Sequence, residues 1–159
     1  MKNRIVAAQA SYIIPRSPEG RILVGRRCNT GYMDGVWQVF AGHVEIGEMP
    51  IGAMVREAFE ELGITVSDET LTLLHVSCRP RHDETGNRVD FYFEARGWEG
   101  YVMNKEPAKC SEMAWVYSNQ LPEPFTPHVR YALDCISRGI FYSELTLEWM
   151  KQQPLYGLE

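Results

Sequence analysis

The chain is predicted to be an α/β protein, a β-sheet with one helix on each face. Three observations predict it. Residues 50–62 and 127–140 have helical period, each with an apolar stripe that needs a core. Around them stand several short β-favouring runs bounded by Gly, Pro and Asn. The length of 159 residues fits a single domain over residues 1–159, large enough to bury a substantial core.

In chain order, residues 4–14 (R-I-V-A-A-Q-A-S-Y-I-I) favour a strand that ends at Pro15. A turn at Ser17-Pro18-Glu19-Gly20 leads into residues 21–27, read as the returning strand of a hairpin. Residues 28–35 form a loop, and 36–40 (V-W-Q-V-F) a short strand. In the first helix Pro50 suits the first turn, where a missing N–H costs nothing, and Gly63 suits the left-handed stop. Its stripe is Ile51, Met54, Val55, Ala58, Phe59 and Leu62. Residues 71–80 and 88–95 read as strands around a polar turn at 82–87. In the second of them Val89, Phe91 and Phe93 alternate with Asp90, Tyr92 and Glu94, which predicts one buried face. Residues 113–117 are another strand. Thr126-Pro127 is an N-cap followed by a first-turn proline, and Val129, Leu133, Ile136 and Ile140 are the second stripe, with Gly139 near its end. Residues 144–152 are a candidate short helix before Pro154.

Composition narrows the function. The net charge is −5, with 45% hydrophobic and 23% charged residues, so no basic surface for polymeric nucleic acid is expected. No run approaches the ~18 apolar residues of a membrane span, and Met1-Lys2-Asn3-Arg4-Ile5 lacks the apolar centre of a signal peptide. Cys28, Cys78, Cys110 and Cys135 stand far apart without a C-x-x-C pair and read as reduced thiols of a cytoplasmic protein.

The chemistry concentrates in residues 42–64, G-H-V-E-I-G-E-M-P-I-G-A-M-V-R-E-A-F-E-E-L-G-I. A Gly-bearing loop with Glu45 and Glu48 leads into the helix. At about 100° per residue, Glu57, Glu60 and Glu61 fall within an arc of roughly 100°. Such a run is often only a solvated acidic face. Three carboxylates on one arc also repel one another unless a cation sits among them, and hard oxygen ligands suit Mg²⁺ or Mn²⁺.

Gly42, Glu48, Arg56-Glu57-Ala58, Glu60-Glu61 and Gly63-Ile64 fill every fixed position of the Nudix box at its spacing. On these residues the chain resembles the Nudix hydrolases. The resemblance implies a mixed β-sheet in an α/β/α sandwich and Mg²⁺-dependent (Mn²⁺ possible) hydrolysis of a nucleoside diphosphate linked to another group. It assigns Glu57, Glu60 and Glu61 as metal ligands, joined by the backbone carbonyl of Ala41, where many members carry glycine. It pairs Glu48 with Arg56, bracing the loop and orienting Glu60. Glu57 is the first candidate for general base and Glu60 the second. Relatives that place the base later in the chain keep Asp90, Glu94 and Glu99 as candidates. Homodimers are common in the family, and Trp98, Tyr101 or Trp149 could serve one.

The resemblance implies a small nucleotide substrate, and two finer resemblances divide over which. Asn104, Glu106-Pro107, Lys109-Cys110 and Trp115-Val116 are similar to the MutT-homologue nucleoside triphosphate pyrophosphatases, which makes Trp115 a candidate base platform. Ala41-Gly42 and Pro80 are similar to ADP-ribose pyrophosphatases. Conversion of a nucleoside triphosphate to monophosphate and pyrophosphate is the preferred expectation. Arg26, Arg27, Arg79, Arg81 and Arg88 are candidate phosphate ligands, Arg27 first among them. A non-catalytic nucleotide-sensing module is the reading from a different class, and the intact box weighs against it.

Overall fold

The computed structural model describes residues 6–80 and 86–159. In order its elements are β1 (Ala7–Pro15), β2 (Ile22–Arg27), β3 (Trp37–Gln38), β4 (Phe40–His43), α1 (Pro50–Leu62), β5 (Leu71–Arg79), β6 (Asn87–Ala95), β7 (Cys110–Val116), α2 (Pro127–Ser137), β8 (Tyr142–Glu144) and α3 (Leu147–Lys151), then a 3₁₀ turn at Pro154–Tyr156. The predicted strand start at Arg4 and Ile5, most of the 82–87 turn, and Arg81 lie outside the described residues.

A five-stranded mixed sheet of order β4-β1-β6-β5-β8 forms the centre. Within it β1 runs parallel to β6, with Tyr12 opposite Tyr92, and antiparallel to β4, with Tyr12 opposite Ala41. A second sheet, β3-β2-β7, is antiparallel throughout. The expected β1–β2 hairpin is therefore corrected. The turn closes, with Gly20 N–H donating to Ser17 O (2.9 Å), but beyond a single bridge at Arg16–Ile22 the second strand leaves for the other sheet. The same division splits the predicted 36–40 strand at Val39, and β4 runs on through Gly42 and His43, so that the start of the box is strand and not loop.

Both faces of the large sheet are covered, which overturns the one-faced reading of 88–95. Phe93 joins Ile13, Phe40, Met54, Ala58 and Leu62 on the α1 side. Tyr92 joins Tyr12, Ile14, Val129, Ala132 and Leu133 on the α2 side. A mixed sheet between two helices has no solvent face, so polar residues at alternate positions are buried and must be paired. Asp90 is fully buried against Arg79 accordingly.

The α1 boundaries follow the sequence. Pro50 opens it, and Gly63 ends it at φ 69°, donating to Phe59 O while Ile64 N–H donates to Ala58 O. The buried stripe is narrower than expected: Met54, Ala58 and Leu62 are inside, whereas Ile51 and Phe59 are exposed. Phe59 instead lies under the Lys105 ammonium, 4.3 Å from its ring centre. Thr126 and Pro127 open α2 as expected, but the Thr126 hydroxyl makes no capping bond. The short strand β8, beside β5 with Ser77 opposite Ser143, was not foreseen; three residues are too few to show a period.

Candidate active site

The site lies where β4 delivers the chain to α1. At Gly42 the backbone passes so close to α1 that a Cβ there would stand 1.8 Å from Glu57 Oε1. Glycine is required by this approach and not by a left-handed φ. The loop that follows is held by Arg56, whose five N–H groups all find acceptors. Nε donates to Glu48 Oε1 and Nη2 to Glu48 Oε2, each at 3.1 Å; Nη2 also reaches His43 O at 3.1 Å. Nη1 donates to Glu57 Oε1 (2.6 Å) and Glu60 Oε2 (3.2 Å). One guanidinium thus fixes the strand end, the loop and two carboxylates of the helix. The paired guanidinium, with the Glu45 N–H, holds the Glu48 carboxyl below the usual carboxylate range.

Glu57, Glu60 and Glu61 line one cleft of about 510 Å³, with Ala41 and Gly42 on its floor. Burial pushes Glu61 up to about 8, and neighbouring Glu57 and Glu106 add to the shift; the Ala41 amide opposes it. Its Oε2 is buried and has no hydrogen-bond partner. Burial also raises Glu57, against the pull of Arg56. Among the described residues no three His, Cys, Asp or Glu side chains already stand at ligand spacing, since Glu57 and Glu60 lean on Arg56. The donor set nevertheless fits a hard divalent cation: three clustered carboxylates, one of them buried and short of a partner, outnumber the single Arg56 guanidinium among them.

Glu45 of the loop lines the same cleft, and a further carboxylate enters from far along the chain. Residues 99–110 cross the end of α1, where Met103 and Lys105 donate backbone N–H groups to the carbonyls of Leu62 and Glu61 (2.9 and 3.0 Å). They carry Glu106 into the cleft, steadied by Asn104, whose Oδ1 accepts from its N–H (3.1 Å), and by Lys109 Nζ at 2.8 Å. Sequence reasoning gave Glu106 no role; the available signal was the Asn104-Lys105-Glu106-Pro107 turn.

Other expected residues are dispersed. Arg27 lines the cleft, its Nε donating to Tyr32 O (2.8 Å) and Nη2 to Thr30 Oγ1 (2.9 Å). Trp115 does not line it; its ring stacks on Trp98, centroids 6.3 Å apart, against the α1-side core. Asp90 faces the α2 side with Arg79, Glu94 is buried between Arg16 and Arg96, and Glu99 is exposed on the bridge to Thr65, so none of the three lines the cleft. Trp37 and Phe40 are core residues.

Residues 7–134 match the NUDIX domain family, and the chain belongs to that family. It is similar to an RNA pyrophosphohydrolase of Psychrobacter sp. (strain PRwf-1), 26% identical over 75% of this chain and 59% of that one. A local stretch of 52 residues, 32% of this chain, is 48% identical to 14% of an octanoyltransferase of Myxococcus xanthus. The chain thus spans well under two thirds of either relative. Among solved structures it resembles a MutT NUDIX hydrolase from Burkholderia pseudomallei, with TM-score 0.71 and 27% identity, covering 81% of this chain and 97% of that one. No helix among the described residues is long and apolar enough to cross a membrane.

Proposed function

We propose that the protein hydrolyses a nucleoside triphosphate to the monophosphate and pyrophosphate. The carrying observation is the convergence of Glu57, Glu60, Glu61 and Glu106 in one cleft, with a buried Glu61 oxygen left without a partner. Glu57, Glu60 and Glu61, with the Ala41 carbonyl, would hold Mg²⁺ or Mn²⁺. When bound, that ion neutralises phosphate charge and lowers the pKa of a coordinated water. Glu57 takes the proton from the attacking water, and burial raises its basicity. Glu60 is the second candidate for that role, and Glu106 becomes another. Arg56 and Glu48 do no chemistry; they fix the carboxylates from which the proton transfer starts. Arg27 lines the cleft, and its guanidinium would meet phosphate oxygens.

The nucleoside would cross β4 into a second cleft of about 300 Å³, which shares Arg27, Gln38, Ala41, Gly42 and His43 with the first. The match to the MutT NUDIX hydrolase supports a hydrolase reading, and the four free thiols suit a reducing, cytoplasmic setting.

Product chromatography tests this. Purified protein with Mg²⁺ meets nucleoside triphosphates, ADP-ribose, nucleotide sugars and a 5′-triphosphorylated RNA oligonucleotide. Monophosphate and pyrophosphate are expected, reduced about 10²–10⁴-fold in Glu57→Gln while its melting curve stays intact. AMP with ribose phosphate as the dominant products would replace this reading with the ADP-ribose one.

A further inference from the structure

The second cleft has a chemical asymmetry. Three arginines, Arg27, Arg79 and Arg88, line it together with Tyr12, Gln38 and His128, and no described lining residue is a carboxylate. Arg79 is the most constrained of these. Its side chain is 3% exposed; Nε donates to Asp90 Oδ2 at 2.6 Å and Nη2 approaches Oδ1 at 3.5 Å. Its third nitrogen, Nη1, is buried with no acceptor. A buried N–H without a partner is costly, so it points to an acceptor that the protein itself does not supply.

The chemistry of that acceptor follows from the charges. Asp90 already neutralises Arg79, and both are out of water, whereas Arg27 and Arg88 line the same cleft half-buried; a phosphate would be met by those two, and at Arg79 Nη1 it would only add charge to a desolvated pair. A neutral carbonyl oxygen adds none. The surroundings suit a flat ring: the Tyr12 ring is fixed by stacking on Tyr92, centroids 4.5 Å apart, and its hydroxyl is bonded to His128 Nε2 at 3.1 Å. Ala10, Ala41 and Gly42 add little bulk. Guanidinium is also the group that reads the carbonyl and ring-nitrogen edge of a purine.

We propose that this cleft seats the base of the nucleotide and selects one presenting a carbonyl oxygen over one presenting an amino group, with Arg79 as the specificity-determining donor. An amino group would set donor against donor and leave Nη1 unpaired. The inference rests on the hydrolase reading for its substrate, and the test separates the two.

Inosine, purine-riboside and adenosine triphosphates carry a carbonyl, a hydrogen and an amino group at the six-position, the inosine ring also being protonated at N1. Pyrophosphate release is followed for each, and binding of the three corresponding monophosphates is measured by calorimetry. The inosine compound is expected to lead the purine riboside by about 10- to 100-fold in kcat/KM and in affinity, with the adenosine compound no better than the purine riboside. In Arg79→Lys, which keeps a cation beside Asp90, the lead should shrink to about twofold while turnover of the purine riboside triphosphate persists. Turnover or binding without preference in the wild type, or a preference untouched in Arg79→Lys, would overturn the assignment and leave the hydrolase reading standing. Ranked binding with no turnover of any triphosphate would uphold the seat and remove the hydrolase reading. Even if the variant fails to fold, the absence of a preference in the wild-type series overturns the proposal.

Discussion

Gly42 concentrates the residue-scale argument, because its missing side chain is the space that Glu57 occupies. A methyl group there would stand 1.8 Å from Glu57 Oε1 and 1.9 Å from its Cδ, so Glu57 must leave the position that Arg56 holds. The backbone at Gly42 is an ordinary strand, so the alanine meets no φ penalty and the cost is steric. Gly42→Ala is expected to lose about 1–3 kcal/mol of stability, the usual cost of overpacking. Activity should fall far more, by about 10²-fold, because a misplacement near 1 Å is enough for that. Urea denaturation beside pyrophosphate release checks both, and a variant with full activity would remove Glu57 from the proposed base role.

At the scale of elements, β5 is tied to β8 through a polar knot that helical or strand period does not reveal. His75 Nδ1 donates to Ile140 O, and Nε2 lies in hydrogen-bond contact with Ser143 Oγ, each at 2.8 Å, so the carbonyl fixes a proton on Nδ1. Burial pushes His75 below its ordinary pKa of 6.5, and the Ile140 carbonyl offsets this only in part. Above about 6.5 both folded and unfolded rings are neutral and the contribution is complete. As pH falls below that value the unfolded chain takes up a proton more readily than the folded one, so stability declines. Urea midpoints between about pH 7.5 and 5 should therefore fall with acidification. The His75→Gln variant should lose that share of the slope; an unchanged slope would show that His75 does not carry it.

On the scale of the molecule, α1 serves two purposes at once: Met54, Ala58 and Leu62 fill the core while Glu57, Glu60 and Glu61 face the cleft. A cation bound at those carboxylates stabilises the folded chain by mass action, about 2.7 kcal/mol at a hundredfold excess over Kd. Scanning calorimetry with rising Mg²⁺ should raise Tm in the wild type and do so much less in Glu61→Gln. Equal responses in both would exclude Glu61 as a ligand.

The division between sequence and tertiary structure follows from the range of each signal. The sequence by itself determined α1, its proline start and glycine stop, and the run of glutamates, because these rest on spacing within a few helical turns. The turns at Ser17–Gly20 and Thr126-Pro127 were legible for the same reason: φ restrictions are local. Only the tertiary structure decided that β2 leaves β1 for a second sheet, since pairing energy depends on partners distant in the chain. It alone decided that Asp90 and Tyr92 are buried, because alternation marks two faces without saying how many are covered. It carried Glu106 to the glutamates of α1, sent Trp115 to stack on Trp98, and set Arg79 beside a cleft with one nitrogen unpaired. Local chemistry is written along the chain, whereas juxtaposition is settled when the two helices close on the sheet and desolvate what lies between.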